Sequence, residues 1–302
     1  MTQLEKRLRE FVDYHIHGDG ECNGIVLRGY SDKHHLSADE KVDLAFMFSV
    51  TYCVESAVVL LENQEEVFRD VDAWIAQNKN KLIFQSDRKY IRMKDAFNKC
   101  LAFYKENRLR LRRIKGLKVL DLSYWIPEVE SYPYFGRFSA YLYLETIAQL
   151  FDMKIINAKM EWRNGATATS GLMNLYCYDN EANLFDRERK LRAPFTEDVL
   201  QAMVEPVLQD IAANGGNSNI TMVETSLCAY RKFFKGSRYN GYYLDRMLEE
   251  IYAMQDNFPE ESQELFEIRE QKFDKRYLGE LGGWKGIRKE CKKLYRDRGI
   301  IM

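Results

Sequence analysis

Glu145 is a carboxylate inside an apolar helical pattern. In YPYFGRFSAYLYLETIAQL, residues 132–150, Phe138, Tyr141, Leu142 and Ala148 recur at steps of three and four, and Glu145 shares a face with Tyr141 and Leu142. That spacing sets Glu145 on the stripe expected to face the core. Burial raises the pKa of an unpaired carboxylate. Glu145 therefore needs a cation such as Arg137, a hydroxyl or backbone donor, or a task as acid or base, with a hydrogen-bonded structural glutamate as the plainer reading. Two later stretches carry complementary chemistry. Residues 161–188 gather Arg163, Asn164, Gly165, Thr167, Thr169, Ser170 and Gly171, followed by Asp179. Small polar groups beside an arginine suit a phosphate, although no P-loop or Rossmann spacing is present. Residues 224–254 mix Tyr230, Lys232, Arg238, Tyr242 and Tyr243. Stacking surface plus cations can hold an unstacked base and its phosphates, and core packing accounts for some of the same aromatics. Cys228 lies among them as a thiol that nothing nearby activates, so it reads as a buried structural cysteine.

Three further groups call for a decision. Between Lys79 and Lys118 there are 14 Lys and Arg against Asp87, Asp95 and Glu106, a local excess of +11 that the chain's net charge of -1 conceals. Arg108, Arg110, Arg112, Arg113 and Lys115, with Tyr90, Phe103 and Tyr104 interleaved, suit a nucleic-acid backbone; a solvated helix face is the alternative. His15 and His17 sit in a glycine-rich stretch near Asp13, Asp19 and Cys22, and His34 and His35 close it. There is no H-E-x-x-H and no zinc spacing, so these are read as loop histidines or phosphate contacts rather than a metal site. Glu55 is a second carboxylate expected to be buried, as an ion-pair partner or as part of a site, the structural role being favoured.

The elements that must position these groups are helices. The chain of 302 residues is 46% hydrophobic and 13% aromatic, enough to bury a full core. It carries five prolines and 17 glycines, and its apolar residues fall at helical spacing over long stretches, which predicts a mainly α fold. One globular domain over residues 1–302 is expected, with two interleaved helical lobes of about 1–130 and 131–302 as the variant. Ser37–Glu40 reads as a capping box opening one apolar helix to about Asn63. Its run Leu44–Leu61 is as long as a short membrane span, but Ser49, Thr51 and Glu55 favour a buried core helix, and no membrane partner is expected. The six cysteines are scattered without a CxxC, which fits free thiols in a reducing cytoplasm.

Three blocks then combine: PYFGRFSAYLYLE, WRNGATATSGLMNLYCYD, and ETSLCAYRKFF followed by RYNGYYLDR. In this order, over about residues 132–246, the chain resembles the phage amino acid:DNA transferases, relatives of the α-glutamyl/putrescinyl thymine pyrophosphorylases. The resemblance implies a helical, DNA glycosylase-like fold and a part in thymine hypermodification in the cytoplasm of an infected bacterial host. In that chemistry an amine, from an amino acid or a polyamine, displaces pyrophosphate from 5-(pyrophosphoryloxymethyl)uracil in double-stranded phage DNA. Such a reaction needs a cationic cradle for pyrophosphate, a base for the incoming amine and a pocket for a flipped base. Arg137, Arg163, Asn164, Lys232 and Arg238 are the cradle candidates, Glu145 and Asp179 the bases, and Tyr134, Phe135 and Tyr230 the stacking residues. Magnesium would enter through the pyrophosphate, as no dedicated ligand set is present. A non-catalytic module that binds modified DNA is the alternative. A plain glycosylase fits less well, because no helix-hairpin-helix glycine motif is followed by the usual Lys or Asp.

Overall fold

The computed structural model describes residues 22–85, 91, 95–156, 162, 166–175, 191, 194–213, 220–234 and 242–273. Within them the fold is mainly α: thirteen α-helices and one two-stranded sheet. The chain divides into two compact units, one built from residues 23–157 with 247–272, the other from the described residues of 158–246 with Cys22 and Phe273. No helix among the described residues is long and apolar enough to cross a membrane.

In the first unit, α1 (Cys22–Lys33) occupies part of the stretch that its glycines and histidines marked as a loop. The capping box at Ser37 forms as expected. The Ser37 N–H donates to Glu40 at 2.7 Å and the Glu40 N–H to the Ser37 hydroxyl at 3.3 Å, opening α2 (Ala38–Thr51).

The single helix expected to reach Asn63 is broken. Tyr52 takes a left-handed conformation at φ 54°, Cys53 is extended, and α3 (Val54–Glu62) starts afresh. Side chains stabilise the break. The Thr51 hydroxyl bonds the Met47 carbonyl at 2.9 Å and the Cys53 carbonyl at 3.2 Å, drawing backbone acceptors away from a continuing ladder. As a result Glu55 stands in the first turn of a helix, not in the middle of one.

α2 and α3 are the centre of this unit, buried on every side from Val42 to Thr51 and from Val54 to Leu61. α4 (Gln64–Arg69) and α5 (Val71–Asn78) follow, the second capped by Asp70, whose side chain accepts from the Ala73 N–H at 3.0 Å. α6 (Ala96–Arg112) then packs on α2, with Phe46 stacked on Tyr104 at a ring distance of 3.7 Å. Strand β1 (Val119–Asp121), α7 (Leu122–Glu130), α8 (Arg137–Phe151) and strand β2 (Lys154–Ile156) form a crossover, the two strands pairing in parallel with Leu120 opposite Ile155.

In the second unit, α9 (Ala166–Leu175), α10 (Glu197–Ala213) and α11 (Ile220–Phe234) pack together. Gly171 lets α9 approach α11: a Cβ there would meet the Leu227 carbonyl oxygen at 1.9 Å. α12 (Tyr242–Met254) contributes residues 247–254 to the first unit, where α13 (Pro259–Lys272) packs on α3.

Candidate functional site

α8 has Gly136 as its N-cap, and it turns a face other than the expected one to the core. The buried positions include Ala140, Tyr143, Leu144 and Ile147, a second stripe at helical spacing whose small Ser139 and Ala140 suit close packing on α2, and of the expected stripe only Ala148 is buried with them. Tyr141, Leu142 and Glu145 are half-buried, and Phe138 is 51% exposed. Glu145 therefore does not lie on the core stripe. It lies on a boundary face, in register with Tyr141 and Arg137 at successive four-residue steps. The Arg137 guanidinium donates to the Tyr141 hydroxyl at 3.0 Å and lies 5.0 Å from its ring centre. Tyr134 is 51% exposed at φ 65°, a strained setting for a bulky side chain. Phe138 meets Tyr52 edge-on at 5.8 Å. One face of α8 and its approach thus present a cation, a phenol and a carboxylate beside two exposed aromatic rings.

The other stacking candidates are not exposed. Phe135 is core, its ring parallel to Phe46 at 5.3 Å, so no open face remains for a base. Tyr230 is 4% exposed on α11, in the second unit, where Lys232 and Cys228 are half-buried. Residues 166–175 of the small polar run form a helix. Thr169 and Ser170 are buried there, the Thr169 hydroxyl donating to the Trp162 carbonyl at 2.9 Å. Arg163, Asn164, Asp179 and Arg238 lie outside the described residues, as do His15 and His17. His34 pairs with Glu264, 2.7 Å away, with Lys33 on the same oxygen.

The basic segment finds its acids elsewhere in the chain. Arg112 donates to Asp43 at 2.6 Å and to Asp39 at 3.0 Å, with only 14% of its side chain exposed. Lys115 reaches Asp39 at 2.6 Å, and the Tyr104 hydroxyl donates to Asp43 at 2.5 Å. Arg108 stands 3.9 Å from Asp43 and 5.4 Å from the Phe68 ring centre. Arg110 and Arg113 share Glu128 at 2.9 and 3.5 Å. The bond from Lys115, with Arg112 close by, holds the Asp39 carboxyl below its usual range, and burial followed by the Asp43 charge pushes the Tyr104 phenol far up. Arg112 is thus part of the fold, while Arg108, Arg110, Arg113 and Lys115 keep an exposed side.

A second cluster was not legible in the sequence. The break at Tyr52 brings Cys53 and Glu55 to the head of α3, and Glu250 of α12 joins them. One ligand atom from each of the three lies within 4.8 Å of the other two, the one such group among the described residues. The Cys53 thiol donates to Glu55 Oε2 at 3.2 Å, and Glu55 Oε1 is buried with no hydrogen-bond partner. Burial, then the neighbouring Glu250, push the Glu55 carboxyl up to about 8, and the same two causes raise the Cys53 thiol. Burial of Glu55 was legible in its apolar surroundings, but Cys53 and Glu250 carry no spacing signal.

No family model and no curated protein matches the chain.

Proposed function

We propose that the chain is an amine:DNA transferase of thymine hypermodification, placing an amino acid or polyamine nitrogen on 5-(pyrophosphoryloxymethyl)uracil in phage DNA. The observation that carries this reading is the boundary face of α8, where Arg137, Tyr141 and Glu145 stand in line beside the exposed rings of Tyr134 and Phe138. The block resemblance over residues 132–246 supports it, and a DNA glycosylase-like arrangement is part of the same proposal.

The chemistry assigned to this face balances. The amine nitrogen attacks the 5-methylene carbon, the carbon–oxygen bond breaks, and its electron pair leaves with pyrophosphate. The surplus proton on nitrogen passes to Glu145, which must be ionised to accept it. Arg137 meets charge developing on the leaving group. Tyr134 and Phe138 offer faces for the extruded base, replacing Phe135 in that role. Arg163, Asn164, Lys232 and Arg238 remain proposed pyrophosphate contacts and Asp179 a second proton acceptor. Magnesium would be carried by the pyrophosphate. Arg110, Arg113 and Lys115 are the cations that can exchange an acid for a DNA phosphate, whereas Arg112 is committed to Asp43.

Glu145→Gln keeps shape and removes the acceptor. The expected result is a loss of turnover of roughly 100-fold or more with DNA affinity unchanged. Undiminished turnover would remove Glu145 from the reaction.

A further inference from the structure

We propose that Cys53, Glu55 and Glu250 form a binding site for one divalent transition ion of the zinc class, separate from the α8 face and independent of the transferase reading. Three observations carry it. The donor set is complete enough to hold an ion: one thiol and two carboxylates whose ligand atoms lie within 4.8 Å of one another. The pair Cys53 Sγ and Glu55 Oε2, at 3.2 Å, already stands near the separation of two ligands on a tetrahedral ion, roughly 3.3–3.8 Å from the usual bond lengths. Finally, Glu55 is 1% exposed and its Oε1 has no hydrogen-bond partner, an arrangement that costs free energy unless something positive sits against it.

The ligand types choose the ion. A thiolate selects against magnesium and calcium, which take oxygen shells of six or more, and favours zinc or its tetrahedral relatives. Charge agrees with that choice. A divalent ion on a thiolate and two carboxylates leaves one negative charge, and the buried guanidinium of Arg269 acts on Glu55 from nearby. A proton shared by the two carboxylates would meet the charge but not the geometry, since Glu55 offers Oε2 to the thiol and leaves Oε1 bare. Three protein ligands leave a fourth position for water or another small donor. Glu250 is half-buried, which gives an ion a way in from its side. The bound ion would tie the head of α3 to α12 at the place where the long helix breaks.

Cobalt(II) added to the full chain after chelator treatment tests this. The expected result is saturation at one equivalent, a sulfur-to-cobalt charge-transfer band in the near ultraviolet, strong visible bands of a tetrahedral ion, and displacement of all of them by zinc. Cys53→Ser should abolish the charge-transfer band, and Cys100→Ser, at a buried thiol outside the cluster, should leave it intact. Glu55→Gln, which puts a neutral isostere at a buried site, keeps the test open if the cysteine variant fails to fold. It should weaken zinc binding by more than about 100-fold in competition with a chromophoric chelator. Absence of stoichiometric cobalt or zinc binding, or a spectrum and affinity unchanged in both ligand variants, would overturn the proposal.

Discussion

Asp43 and Glu55 sit in adjacent helices of one unit and are equally hidden from solvent, yet their surroundings differ in kind. Asp43 accepts from the Arg112 guanidinium and the Tyr104 hydroxyl, so both of its oxygens have donors. Glu55 has a thiol on one oxygen, nothing on the other, and a second carboxylate nearby. The first arrangement is self-sufficient: charge enters the core together with its counter-charge. The second leaves one oxygen without a partner, which an added ion would supply. A buried carboxylate thus signals a binding site only when its neighbours fail to satisfy it.

The largest way to break this contrast is Arg112→Met, which leaves Asp43 buried with only the Tyr104 hydroxyl and the more distant Arg108 guanidinium. A loss of about 3–5 kcal/mol in urea unfolding is expected, with much of it recovered when Asp43→Asn is added. A loss below about 1 kcal/mol would make the pair no different from a surface one. Next comes pH dependence in the presence of chelator. The folded Glu55 carboxyl, raised from 4.5 to about 8, keeps a proton that the unfolded chain releases. Its contribution is therefore full below pH 4.5 and lost as pH rises through 8. Unfolding measured across that window should show a decline on the order of a few kcal/mol, and Glu55→Gln should flatten it. The smallest effect on stability belongs to Arg110 and Arg113, exposed around Glu128. Their joint replacement by Ala should cost about 1 kcal/mol or less. If they meet phosphates, it should also reduce the slope of log affinity for DNA against log salt by about 0.9 per lost contact.

Local signals in the sequence were reliable where the physics is local. Ser37 and Glu40, three residues apart, cap the first turn of α2, because the effect needs only neighbouring backbone. Glu145 was misplaced because α8 has two apolar stripes, and periodicity cannot say which of them α2 will cover. The basic segment read as unpaired because its acids are distant: Asp43 and Asp39 precede Arg112 by 69 and 73 residues. The break at Tyr52 depends on one left-handed residue and the Thr51 hydroxyl, inside a run whose composition suits an unbroken helix. Without that break, the nearness of Cys53 and Glu55 to Glu250 has no trace in the spacing.

The most direct measurement for the transferase is nucleoside mass spectrometry on duplex DNA carrying 5-(pyrophosphoryloxymethyl)uracil, incubated with the protein and a mixture of amino acids and polyamines. The expected result is a modified nucleoside whose mass corresponds to one amine gained and pyrophosphate lost, which also names the donor. Recovery of the activated base unchanged, from DNA that the protein still binds, would contradict transfer and leave a DNA-binding module in its place.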